Sequence, residues 1–170
     1  MEFLKLAEER FSCRKFKSTP VEKEKVDKII KAGLVAPTAH NNQPCKIIVC
    51  NTKAGLEKFR RCTECHYNAP LGLVVIYDKN LSWKRAYDGA DSGVVDASII
   101  TTHMMLEAQD LNIGTTWIMY YIPEAVREEF NLKENEESVA LMVMGYPADD
   151  VKPSPSHLTN KDPKEIVFYK

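Results

Sequence analysis

This sequence has no apolar run near the roughly 18 residues that a membrane-spanning helix requires, and it has no surplus of positive charge. Its 23 basic residues face 24 acidic ones, for a formal net charge of -1. A field that weak offers nucleic acid nothing to be drawn to. No internal repeat and no low-complexity tract is present. The five cysteines, Cys13, Cys45, Cys50, Cys62 and Cys65, are odd in number, which suits reduced thiols in a cell interior better than a disulfide framework. Met1 to Arg10 carries acids within an amphipathic pattern and lacks a long apolar core, so the expectation is a chain without a secretory leader, working in the cytoplasm.

What is present is globular. Over 170 residues, 44% are hydrophobic and 28% charged, enough to close a core in one domain spanning residues 1–170. Val26, Ile29, Ile30, Gly33 and Leu34 recur at helical spacing and predict a helix over 20–35, started by Thr19-Pro20 and ended by Pro37. Ile47 to Cys50 reads as a short strand, Lys53 to Phe59 as a short helix, and the continuous apolar run Leu71 to Tyr77 as a buried central strand. The longest predicted element is a helix from about Gly89 to Leu111, apolar on more than one face, which asks for cover from the sheet and from a second subunit. Thr115 to Tyr121 and Val139 to Met144 read as strands, with a helix over Pro123 to Phe130 between them. The tail from Ala148 is expected to run extended and to end by docking the apolar strip Ile166 to Tyr169.

Two segments carry chemistry. In an extended chain Arg10, Ser12 and Arg14 project to one side, setting two guanidiniums about a hydroxyl. Each guanidinium donates two parallel hydrogen bonds and stays charged, which suits a phosphate monoester; a solvated basic stretch has the same spacing. Pro37 to Pro44 is a hydrogen-bonding loop, with Thr38, His40, Asn41, Asn42 and Gln43 between the prolines. His40 is a candidate for orienting a ligand, and Trp83 and Tyr87 for lining its substrate side; Met104, Met105, Trp117, Tyr120 and Tyr121 read as core or subunit contact.

Cys62-Thr63-Glu64-Cys65-His66 has the spacing of covalent haem attachment, and Cys-x-x-Cys also occurs in zinc and thiol-redox sites. Haem attachment needs export, and zinc needs a second ligand pair for which only Cys45, Cys50 and the scattered His40, His103 and His157 are available. No metal is expected; placement without function and thiol chemistry both stay open.

Taken in order, Arg10-x-Ser12-x-Arg14 after the first helix, Ala36-Pro37-Thr38 with Asn41 to Pro44 after the second, Asn112 to Trp117 after the long helix, Met144 to Pro147 at a strand end and Lys161 to Val167 near the close resemble the flavin-dependent nitroreductase family. The resemblance implies an α+β fold, a central, mostly antiparallel sheet flanked by helices, in an obligate homodimer with two FMN sites across the interface. It assigns Arg10, Ser12 and Arg14 to the FMN phosphate, ribityl chain and pyrimidine edge, Pro37, Thr38 and Asn41 to the partner's flavin, the main chain of Gly114, Thr115 and Thr116 to the ring, and Lys161 to the phosphate. It further implies NADH or NADPH as electron donor and a small planar nitroaromatic, quinone or enone as acceptor, with a non-catalytic flavin carrier or sensor as the alternative. Two positions depart from the pattern: Cys45 stands where the family has Trp, and Asn160-Lys161 where it has Arg. The connection from Asp78 to Asp88 is short for a family lid.

Overall fold

In the computed structural model, which describes residues 2–170, the strand read as central does hold the middle of the sheet. β1 (Cys45–Cys50), β2 (Leu71–Asp78), β3 (Gly114–Ile118) and β4 (Glu136–Gly145) form one four-stranded sheet in the order β1-β2-β4-β3, every neighbouring pair antiparallel. The expected α+β architecture is therefore present, with an antiparallel sheet throughout. β2 is buried on both faces because helices cover both, which is why its sequence is continuously apolar instead of alternating.

The alternation reappears in three dimensions. Leu71, Leu73, Val75 and Tyr77 face a core built with Val26 and Ile29 of α2 (Lys23–Leu34) and Ala97, Ile100 and Met104 of α4 (Gly93–Asp110). Val74 and Ile76 face the opposite core, with Phe59 of α3 (Lys53–Cys62) and Val126 of α5 (Pro123–Glu129). Gly72 sits under Phe59, where an added Cβ would lie 2.7 Å from the ring. Fully burying each large side chain of these two cores stabilises the fold by about 1.5–3 kcal/mol. A one-residue slip of β2 would exchange the two sets, so register and core composition specify each other.

Three elements differ most from expectation, beyond shifts of a few residues at the ends of α2, α3 and β4. The long helix begins at Gly93 instead of about Gly89, because residues 84–91 fold into a small hairpin whose Arg85 N–H donates to Ala90 O at 2.9 Å. Asp91 Oδ1 then accepts the Gly93 N–H at 2.7 Å and opens the helix there. β3 stops at Ile118 instead of reaching Tyr121, since Thr63 Oγ1 donates to Tyr120 O at 2.6 Å and draws the chain off the sheet. The closing segment forms a short helix, α6 (Pro163–Ile166), and its apolar strip is not docked on this chain: Ile166 is 60% exposed and Phe168 73%. Val94 and Val95 of α4 are exposed as well, the face for which sequence reading asked a second cover.

Candidate functional site

Residues 10–16 follow α1 (Phe3–Glu9) in extended conformation and lie along the start of β3. Cys13 N–H donates to Thr115 O at 2.9 Å, Ser12 bridges Thr115 in parallel, and the Thr116 hydroxyl donates to Cys13 O. With Cys13 fully buried beneath the segment, Ser12 and Arg14 on either side are forced outward. Gly114 makes this pairing possible, since a Cβ there would come 2.8 Å from Cys13 Cβ and 3.1 Å from Pro147 Cγ. Thr115 and Thr116 are buried behind the segment.

The Gly145-Tyr146-Pro147 turn fixes the other side. Lys17 N–H donates to Tyr146 O at 2.8 Å and Ala148 N–H to Lys15 O at 3.1 Å, so the chain leaving β4 runs beside residues 15–17. The Tyr146 hydroxyl accepts from Lys25 Nζ at 2.7 Å and donates to Glu22 at 2.6 Å, which ties the turn to the start of α2. That hydrogen bond holds the Glu22 carboxyl below its ordinary range.

Arg10, Ser12 and Arg14 come together as one wall of a cavity of about 240 Å³. Arg14 donates to Ser12 O at 3.3 Å, and Tyr67 lies beside it, its hydroxyl pushed up chiefly by burial and then by the Cys65 thiol, against a smaller opposing pull from the guanidinium. The far wall is Ser154, Ser156 and His157, which no pattern in the sequence marked. Lys161 is exposed and is not part of this lining.

The loop at 37–44 is built differently. Ala39 N–H donates to Asp96 Oδ1 at 2.9 Å, and the same carboxylate accepts from Ser92 Oγ at 2.8 Å. Asp96 is buried in the first turn of α4 and is the residue that sequence reasoning missed; an acid alone among Val94, Val95, Ala97 and Ile99 was the available signal. His40, Asn41 and Gln43 all have left-handed backbone, at φ 53°, 56° and 50°. Thr38 Oγ1 accepts the Gln43 N–H at 3.1 Å, and the His40 ring stacks on Trp83 at 5.3 Å. Pro37, Thr38, Trp83 and Asp96 line a second, mainly apolar cavity of about 590 Å³, in which Asn41 has no part. A single chain thus sets the Arg10–Arg14 group and the Pro37–Thr38 group in two separate cavities.

The Cys-x-x-Cys-His segment is a junction in the packing. Cys62 is fully buried, its carbonyl accepts the Ile122 N–H at 2.9 Å, and burial pushes its thiol up to about 11. Such a thiol is a poor nucleophile, since the thiolate is the reactive form. His66 Nδ1 accepts the Asn68 N–H at 3.0 Å. Among the described residues no three His, Cys, Asp or Glu side chains gather as a metal site. Cys45, in place of the family's Trp, has its thiol pushed up to about 12 by burial first and by Asp96 second. Within the described residues no helix is long and apolar enough to cross a membrane.

The family model of the Nitroreductase family matches residues 7–69 and 62–146, which takes in both segments above. This chain belongs to the nitroreductase family. A protein of Archaeoglobus fulgidus with the provisional name NADH dehydrogenase/NAD(P)H nitroreductase is 33% identical over 156 residues, covering 88% of this chain and 87% of its own. The crystal structure of a nitroreductase family protein from Clostridium difficile 630 superposes with a TM-score of 0.94 at 38% identity, over 100% of this chain and 99% of that one. An FMN-dependent nitroreductase from Clostridium difficile R20291 superposes with a TM-score of 0.78 at 29% identity, over 98% and 99% of the two chains. The family's sheet and helices are what the fold shows, and the Arg10, Ser12 and Arg14 wall lies beside β3.

Proposed function

We propose that this protein is an FMN-dependent NAD(P)H oxidoreductase of the cytoplasm, a single domain acting as a homodimer with its flavin sites between subunits. The observation that carries the reading is the wall of Arg10, Ser12 and Arg14, held extended by β3 and turned outward, in a chain of the nitroreductase family. The donor set fits the group: two permanently charged forks and a hydroxyl match the oxygens of a phosphate monoester and the polar chain behind it. The chemistry supplied by the flavin is hydride acceptance from NADH or NADPH and electron delivery to a planar nitroaromatic, quinone or enone, in ping-pong order.

The residues of this chain bind and orient. Arg10 and Ser12 would hold the phosphate end. Arg14 would face the ring system, where a guanidinium favours the negative charge gained on reduction; the main chain of Gly114 to Thr116, covered by residues 12–16 of its own chain, would hold that segment in place and not meet the ring itself. No Asp, Glu or His is needed as a general base. Pro37, Thr38 and Asn41 would meet the flavin of a second subunit, a role supported for Pro37 and Thr38 by their place in a cavity separate from that of Arg10. The exposed Val94 and Val95 and the undocked Ile166 to Tyr169 strip support the same homodimer, because apolar surface of that kind is ordinarily covered by a partner. Lys161 stays a candidate for the phosphate from the tail.

The test is an absorbance spectrum of the purified protein before and after anaerobic NADH and NADPH. Yellow colour that bleaches, and returns with an acceptor, is the expected result. Colour that neither donor bleaches would assign a carrier or sensor, and no colour after FMN is added would end the flavin reading.

A further inference from the structure

The far wall of the Arg10–Arg14 cavity comes from a segment some 140 residues away in sequence, and it is polar at every position that lines it: Ser154, Ser156 and His157. Contacts at both ends hold that segment in place. The chain leaving β4 is paired with Lys15 through Ala148 N–H, and Lys15 Nζ is ion-paired with Asp150. Further along, His157 Nε2 meets Glu8 O at 2.8 Å. A carbonyl oxygen only accepts, so Nε2 is the protonated nitrogen. The ring also lies edge-on to Phe11, with centroids 6.3 Å apart. Between these anchors a tight turn gathers the hydroxyls: His157 N–H donates to Ser154 O at 2.8 Å, and Ser154 Oγ and Ser156 Oγ are 2.9 Å apart.

Two guanidiniums on one wall can bond only the oxygens that face them. A phosphate monoester carries three terminal oxygens, and the outer ones would otherwise be left to water. A second wall carrying the Ser154 and Ser156 hydroxyls, in the same cavity of about 240 Å³ and anchored by the His157 Nε2–H bond to Glu8 O, supplies donors from the tail. An uncharged primary hydroxyl in the same place offers one oxygen with two acceptor lone pairs and no charge, against the phosphate's three charged terminal oxygens.

Resting on the flavin reading above, we propose that Ser154–His157 is the second jaw of a clamp for a phosphate monoester, closing on Arg10–Arg14, and that it makes the protein prefer FMN to riboflavin. The tail thus contributes the Ser154 and Ser156 hydroxyls to this cavity, five residues or more ahead of the candidate Lys161.

The full chain, stripped of flavin, is titrated with FMN and with riboflavin by flavin fluorescence, alongside Ser154→Ala and Ser156→Ala. The expected result is a loss of FMN affinity of about tenfold in each variant, the scale of one hydrogen bond to a charged group, with riboflavin affinity unchanged. Retained riboflavin binding also certifies the fold of each variant. Wild-type binding of FMN with the same FMN-to-riboflavin ratio in both variants overturns the second jaw and leaves the flavin reading intact. Equal losses for both flavins overturn it too, placing the segment against the ring. Failure of the wild type to bind either flavin overturns the flavin reading itself, and the clamp with it.

Discussion

The segment at residues 10–16 and the loop at 37–43 both offer polar groups to a ligand, yet they are held by opposite means. The first is held by backbone: it pairs with Thr115 and with the chain after Tyr146, buries Cys13, and keeps the side chains of Arg10, Ser12 and Arg14 out of the core, where Arg14 bonds Ser12 O and the neighbouring Tyr67. The second is held by side chains, through one buried carboxylate, Asp96, beneath three left-handed residues. Function and stability are therefore separable in the first region and bound together in the second.

Asp96→Ala is the hardest test of that contrast. It removes a buried acceptor from Ala39 N–H and Ser92 Oγ, with an expected loss of about 2–4 kcal/mol in denaturant unfolding, or roughly 5–12 °C in Tm. Amide exchange should quicken at 37–43 and stay slow at Cys13; quickening at both would mean that the two regions form one unit. Gly114→Ala comes next. Its Cβ would press on Cys13 Cβ at 2.8 Å, and overpacking of this kind costs about 1–3 kcal/mol. Because the strain falls on the pairing that holds the segment, FMN affinity and stability should drop together, whereas a drop in stability alone would show that the segment keeps its place without that contact.

Arg10→Ala and Arg14→Ala should do the reverse. FMN affinity falls about ten- to hundredfold, as for the loss of a charge-assisted phosphate contact, while Tm moves by less than about 2 °C. A large fall in Tm would contradict the division between binding and folding drawn here. The smallest effect belongs to Asp150→Asn at the Lys15 ion pair, both of whose side chains are largely exposed. Lys15 holds the Asp150 carboxyl below its ordinary range, so the folded pKa lies under the unfolded one. The pair therefore contributes above about pH 4, the ordinary aspartate value, and its contribution disappears as pH falls through the folded pKa. A Tm difference of about 1–2 °C at pH 7, shrinking in acid and in high salt, is the expected signature in a thermal scan.

The sequence made the first region legible and hid much of the second. Alternation placed Ser12 and Arg14 outward because a strand has period two whatever it pairs with, and the unbroken run Leu71 to Tyr77 announced a strand covered on both faces. The start of α4 was missed because it is set by backbone pairing, which leaves no mark in a sequence: the 84–91 hairpin closes through Arg85 and Ala90 backbone groups, and Asp91 then meets the Gly93 N–H just before the helix. Asp96 was passed over for a related reason. Its partner, Ala39 N–H, lies 57 residues earlier, and an N–H leaves no mark in a sequence. Ser154, Ser156 and His157 were invisible because a polar, proline-bearing tail has no period to read. The resemblance assigns the Gly114 main chain to a flavin ring, but the group that comes close is Cys13 of its own chain.

The stack of His40 on Trp83 gives the loop an optical voice. Only two tryptophans are present, Trp83 and Trp117, and just one of them touches the 37–43 turn. Replacing Trp117 with Phe would leave a protein whose ultraviolet emission comes from Trp83 alone, against an imidazole 5.3 Å away. Any ligand or second subunit that shifts the loop would then announce itself in colour and intensity, in real time and without a label.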